Sequence, residues 1–279
     1  MSIHFHPLTI KEIRKETPDC VSVAFDIPEA LKNVFAFSQG QSLTMRAMIN
    51  GEEVRRTYSI CSSPLENEWR VAIKKVKGGL FSTFANENLG KGDTLDVMEP
   101  VGRFYTELHP DNAKNYVAFA AGSGITPVIS IIKTTLAIEP QSNFTLVYGN
   151  KNRKSIIFFE ELEALKNKYM HRFNLVHILS REKTDTAINF GRINTEKLNE
   201  LGGLVDYNNT DEFFICGPEE MIFCIKDYLE TRDIDKKHIH FELFTSPGQK
   251  KTIAGTDDSW LLTGPVSKIT IKLDGRSFD

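Results

Sequence analysis

Tyr116-Val117-Ala118-Phe119-Ala120-Ala121 runs straight into Gly122-Ser123-Gly124-Ile125-Thr126-Pro127. The first six residues are an apolar run of strand length, as expected of a strand buried on both faces. Gly122-x-Gly124 supplies backbone that a diphosphate can approach closely. Thr126 suits a helix N-cap and Pro127 the first helical position. A helix over 128–138 would then offer unpaired N–H groups and its positive dipole end to a phosphate. Pro127 replaces the third glycine of the dinucleotide fingerprint, so this segment alone fits an ordinary strand-to-helix turn equally well. The rhythm then repeats. Phe144–Tyr148 precedes a helical pattern over Ile156–Lys168, with Ile156, Phe159, Leu162 and Leu165 at helical spacing. Phe173–Leu179, Phe213–Cys216 and Ile239–Phe244 add three strands. Such alternation predicts an α/β domain with a parallel sheet covered on both faces, and ligands bind those sheets at the carboxyl ends of strands. Gly122-Ser123-Gly124 and Cys216-Gly217-Pro218 both stand at such ends.

The first ~105 residues read differently, as strands and turns. Val21, Val23 and Phe25 alternate with Cys20, Ser22 and Ala24. Leu43–Ile49 leads into Asn50-Gly51, a favoured hairpin pair, and Glu52–Ile60 is the return strand. Trp69–Val76 is a further strand, and only Leu80–Leu89, between Gly78-Gly79 and Gly90, looks helical. A small antiparallel β-barrel with one helix fits this pattern. The expected organisation is a barrel over 1–107, an α/β domain over 108–245 and a linker over 246–267. Half of the 24 residues Thr245–Lys268 are Thr, Ser, Gly or Pro, which is linker chemistry. Ile269–Leu273 alternates into Asp274-Gly275, and one strand and a turn cannot fold alone. Residues 268–279 are therefore expected to begin a third, truncated domain.

The net charge of -3 gives no reason to expect nucleic acid or anionic membrane as a partner. The N-terminus lacks a signal-peptide core and no apolar run reaches membrane-span length, so the cytoplasm is expected. Cys20, Cys61, Cys216 and Cys224 have neither thiolate-zinc nor plant-type iron–sulfur spacing. His4-x-His6 and His238-x-His240 each place two imidazoles on one strand face. Surface polarity on edge strands accounts for both pairs, and no metal site is expected.

Other motifs carry chemistry of their own. In Arg56-Thr57-Tyr58-Ser59, alternation puts Arg56 and Tyr58 on one face. Arginine forks onto phosphate and tyrosine stacks on flat rings, although an exposed strand with cross-strand pairs gives the same tetrad. Lys74 and Gly78-Gly79-Leu80-Phe81-Ser82 repeat the phosphate logic ahead of a short helix. Ser180-Arg181 follows a strand, where a basic fork clamps a 2′-phosphate.

Taken in order, Arg56–Ser59, Gly78–Ser82, Gly122–Pro127 and Cys216-Gly217-Pro218 resemble the ferredoxin–NADP reductase superfamily. The resemblance covers residues ~5–245. It implies FAD held by Arg56, Thr57, Tyr58, Ser59, Lys74, Gly78, Gly79, Ser82 and Phe244. It implies NADPH, with NADH as an alternative, held by Gly122, Gly124, Thr126, Pro127, Ser180, Arg181, Cys216, Gly217 and Pro218. Ser59, Cys216 and Glu242 are the implied catalytic residues. Within the superfamily the pattern is similar to reductase components of the phenylacetyl-CoA epoxidase type. There a linker and a 2Fe-2S ferredoxin domain follow, and electrons pass to an oxygenase acting on an aromatic ring. The cluster is expected only in a longer parent chain. The alternatives are a stand-alone ferredoxin or flavodoxin reductase, the reductase half of a flavohaemoglobin, and a non-catalytic flavin-binding interaction subunit.

Overall fold

A computed structural model describes residues 4–244 and the backbone of 271–273 and 276–278. Six antiparallel strands form the first sheet: β1 (His6–Thr17), β2 (Cys20–Asp26), β3 (Ser42–Ile49), β4 (Glu52–Ser59), β5 (Trp69–Lys74) and β6 (Thr94–Val97), in the order β4-β3-β6-β1-β2-β5. A bridge between Ile60 and Val71 joins the two ends of that order, so the sheet curls into a barrel. Leu8, Val23, Phe25, Leu43, Met45, Val71 and Val97 fill it, and Phe81 of α1 (Leu80–Glu87) plugs one end. Asn50 and Gly51 sit at φ 53° and 83°, the left-handed pair that a two-residue hairpin turn requires.

The second sheet is parallel: β7 (Asn115–Ala121), β8 (Asn143–Asn150), β9 (Phe173–Leu179), β10 (Glu212–Gly217) and β11 (Ile239–Leu243), in the order β11-β10-β7-β8-β9. Alternate residues serve opposite faces. Tyr116, Ala118, Ala120, Tyr148, Phe214 and Cys216 pack with α2 (Ile125–Ile138) and α3 (Phe159–Lys168). Val117, Phe119, Val147, Phe213 and Ile215 pack with α4 (Thr195–Leu201) and α5 (Glu219–Glu230). The strand order reverses between β7 and β10, which opens a crevice at their carboxyl ends.

The α2 helix also docks the sheet onto the barrel. Ser130 Oγ donates to the Ser62 carbonyl at 2.6 Å, and the Ser63 and Thr134 hydroxyls meet at 2.9 Å. Lys133 reaches Glu66 at 3.1 Å and also pairs with Glu161 of α3.

Several boundaries differ from those expected. The α2 helix starts at Ile125 behind a turn of 3-10 helix over Gly122–Gly124, with Gly124 as its N-cap. Thr126 is therefore inside the first turn, where its Oγ1 donates to the Ser123 carbonyl at 3.0 Å. Pro127 sits there without loss, because first-turn N–H groups have no partner inside the helix. The third helix begins at Phe159, since Phe158 has φ 61° and stands outside it. Strands β1 and β6 and helices α4 and α5 come in addition to the elements read from the pattern.

A separate unit holds β12 (Ile271–Leu273) and β13 (Arg276–Phe278), an antiparallel hairpin with Leu273 opposite Arg276. The expected linker lies outside the described residues, as do Asp274-Gly275.

Candidate functional site

Three side chains far apart in sequence converge where the barrel meets the parallel sheet. Ser59, the last residue of β4, is 3% exposed. Its hydroxyl donates to Glu242 Oε2 of β11 at 3.2 Å. Glu242 stands in register with Cys216 of β10. Burial raises the Glu242 carboxyl above the ordinary carboxylate range, against the Ser59 hydrogen bond, which lowers it. Burial also pushes the Cys216 thiol well up, and the Glu242 charge adds to the effect. Cys216 is thus a neutral thiol here, not a thiolate nucleophile.

On the barrel side, Arg56 and Tyr58 share one face of β4 and both are half-buried. Tyr58 packs against Phe81 with ring centroids 5.7 Å apart. Arg46 and Arg55 pair with Glu53, while the Arg56 guanidinium donates only to the Arg55 carbonyl among the described residues. Thr57 lies on the opposite face of the strand, exposed, and shares a 2.8 Å hydrogen bond with Thr44. Gly78 has φ 76° with open space around it, and Gly79 caps α1 without a side-chain bond. Ser82 is turned inward: its Oγ accepts from the Val76 N–H at 3.1 Å and donates to the Gly79 carbonyl at 3.3 Å. It shapes the glycine turn rather than facing outward. A cavity of about 430 Å³ opens beside this turn, lined by Met48, Asn50, Gly78, Gly79, Leu80 and Phe84, among others. Met48 was missed in the sequence, although it carried a signal as an apolar residue in the outward phase of β3, 64% exposed.

On the sheet side, Gly122 sits at φ 55°. Gly124 presses on the neighbouring strand so closely that an added Cβ would lie 2.0 Å from the Cys216 carbonyl oxygen. Gly122–Gly124 and Cys216-Gly217 therefore form one continuous floor, and Pro218 caps α5 beside it. Lys74, from β5 of the barrel, brings its Nζ within 4.0 Å of the position a Gly122 Cβ would take. The same Nζ lies 3.8 Å from Asp19 Oδ2. Ser180 is tied to β8 through the Asn150 carbonyl at 2.9 Å, and Arg181 is exposed beyond it. Phe244 is 40% exposed just past β11.

The donor set fits two dinucleotides. Bare glycine turns and uncapped helix starts suit diphosphates. A guanidinium without a carboxylate partner among the described residues and a partly open tyrosine suit a phosphate and a flat ring. The histidine pairs go elsewhere: His238 and His240 both approach Glu212 Oε2, at 3.6 and 2.9 Å, and His4 stacks edge-on against His6. Among the described residues no group of three ligands is placed to hold a metal, and no helix is long and apolar enough to cross a membrane.

The oxidoreductase FAD-binding domain family matches residues 7–105, and the oxidoreductase NAD-binding domain family matches residues 119–227. The chain is 42% identical over 275 residues to a component protein of the 1,2-phenylacetyl-CoA epoxidase of Escherichia coli (strain K12), spanning 98% of this chain and 75% of that protein. It is 35% identical over 242 residues to the ferredoxin reductase component of the Rhodococcus rhodochrous 3-ketosteroid-9-alpha-monooxygenase, spanning 86% of this chain and 65% of that one. A ferredoxin NADP+ reductase from Neisseria gonorrhoeae, solved with bound FAD and NADP, shares the fold with TM-score 0.72 at 21% identity, over 86% of this chain and 99% of that one.

Proposed function

Because this chain belongs to the ferredoxin reductase family of FAD- and NAD-binding oxidoreductases, we propose that it oxidises NADPH through FAD and passes electrons singly to an oxygenase system of the phenylacetyl-CoA epoxidase type, in the cytoplasm. Residues 1–107 would hold FAD and 108–245 NADPH. The observation that carries this reading is the meeting of Ser59, Cys216 and Glu242 between two glycine turns, one from each sheet.

Bound flavin supplies acceptance of a hydride and release of single electrons. The residues supply position and charge. Arg56 and the α1 start would hold the FAD diphosphate, and Tyr58 would offer its ring to the flavin. The Gly122–Gly124 floor and Gly217 hold the NADPH diphosphate, with Lys74 adding positive charge from the barrel. Cys216, neutral and buried, gives a soft apolar wall that fixes the nicotinamide face. Ser59 Oγ carries a proton at the centre of the site, and Glu242 Oε2 accepts its hydrogen bond. Phe244 covers the ring edge. Arg181 and Ser180 select the 2′-phosphate. The similarity to the Escherichia coli epoxidase component across nearly the whole chain supports the choice of partner.

The test is direct. Purified protein titrated with FAD should become yellow and reduce ferricyanide with NADPH. A protein that takes up no FAD, or one that binds FAD without NADPH turnover, defeats the proposal. The second result would favour a non-catalytic interaction subunit.

A further inference from the structure

Tyr148 lies on β8, directly behind the Gly122 turn, and is completely buried. Its ring packs on the α2 face of the sheet, in the same cluster as Ala120, Ile125 and Cys216. Its hydroxyl donates to the Gly122 carbonyl at 2.8 Å. That carbonyl belongs to a residue at φ 55°, a conformation that glycine adopts freely and other residues avoid. A buried tyrosine hydroxyl needs a partner, and here the oxygen it donates to belongs to the turn, while the backbone of buried Ile157 also faces it. The Asn150 amide faces the same hydroxyl without giving its Nδ2 a partner.

We infer that Tyr148 is a positioning residue for dinucleotide binding: its hydroxyl sets the orientation of the Gly122–Ser123 peptide. The inference rests on the functional reading above. Its physical basis is planarity. In a trans peptide the C=O and N–H point in opposite directions, and no described peptide bond is cis. A Gly122 carbonyl drawn inward to Tyr148 sends the Ser123 N–H outward, away from the core. That N–H precedes α2 and has no partner within the helix. Outward, it adds to the helix dipole and to the Lys74 charge as a donor for a diphosphate oxygen. The Ile125 N–H that closes the 3-10 turn donates to the same carbonyl, so without the hydroxyl that one bond is left to hold the peptide, and a peptide that turns over presents a carbonyl to the phosphate.

The experiment titrates ADP-ribose, which carries the diphosphate but no nicotinamide, into FAD-loaded protein by calorimetry. Tyr148→Phe keeps the ring and should weaken ADP-ribose about tenfold, the usual effect of one hydrogen bond. FAD content and Tm should stay near wild type. Under stopped flow the Kd for NADPH should rise while the limiting reduction rate at saturation holds. Gly122→Ala disturbs the same peptide from the other side and should weaken ADP-ribose comparably. The double variant should be no worse than the worse single, because both act on one peptide. An unchanged ADP-ribose affinity in Tyr148→Phe overturns the inference, as do multiplying effects in the double variant. A Tyr148→Phe protein that loses its folded circular dichroism assigns the hydroxyl to stability instead and also overturns it. A wild-type chain that binds neither FAD nor ADP-ribose brings down the functional reading, and the inference with it.

Discussion

Gly124→Ala should disable NADPH oxidation while sparing the flavin site. The added Cβ would lie 2.0 Å from the Cys216 carbonyl oxygen, 2.4 Å from the Cys216 carbonyl carbon and 2.9 Å from the Gly217 nitrogen. All three are backbone atoms of β10, so no side chain can swing aside. Going from 2.0 Å to the 3.4 Å of ordinary contact needs a displacement of about 1.4 Å. Either the turn lifts off the strand or Cys216 is pushed towards Glu242. Overpacking of this kind costs about 1–3 kcal/mol, which lowers Tm by roughly 2–10 °C in a chain of this size. The effect on rate should be larger in proportion, because a misplacement of about 1 Å at a reacting centre costs on the order of 10²-fold. The assay is NADPH–ferricyanide turnover beside FAD content and a thermal melt. We expect kcat/KM to fall about 10²-fold, with full FAD occupancy and a modest drop in Tm. A variant with wild-type kcat/KM would refute the claim that this contact sets the floor for NADPH. Loss of FAD would refute the separation of the two sites.

Arg56→Ala removes a guanidinium for which the described residues supply no carboxylate partner, so FAD retention should weaken by about 1.5–3 kcal/mol, read as a rise in Kd by fluorescence titration; unchanged retention would move the phosphate site elsewhere. Arg181 is exposed and its charge is screened, so Arg181→Ala should cost only about 3–10-fold in kcat/KM for NADPH and nothing for NADH. An equal loss with both cofactors would assign Arg181 to something other than the 2′-phosphate. Glu242 has a folded-state pKa raised, chiefly by burial, above the ordinary 4.5. A group raised in this way contributes its full stability below the unfolded value and loses it as pH rises through the folded one. Glu242→Gln should therefore raise Tm at neutral pH, with a gain that shrinks as pH falls towards 4.5, while turnover drops. A variant less stable at neutral pH than wild type would contradict that sign.

Local chemistry made much of this protein legible without its structure. Apolar runs that end in glycine, at Ala121-Gly122 and Cys216-Gly217, announce parallel strands because side-chain hydropathy and backbone freedom are local properties. Asn50-Gly51 announces its hairpin for the same reason. Strand β1 was harder to read, because a register shift between Ile10 and Glu12 breaks its alternation. The cap of α2 is Gly124 where Thr126 was expected, so the helix starts at Ile125 instead of Pro127. The partners of the motif hydroxyls were likewise hidden. Thr57 meets Thr44, Ser82 closes its own turn, and Ser59 reaches Glu242. Those outcomes depend on neighbours distant in the chain. Residue order alone set the kinds of groups available and the turns that carry them. Tertiary structure decided which of them meet: the seam that joins Ser59 to Glu242 and the Lys133 link between the barrel and α3 exist only once the two sheets pack together, and the reach of Tyr148 to the Gly122 carbonyl only once β8 pairs with β7.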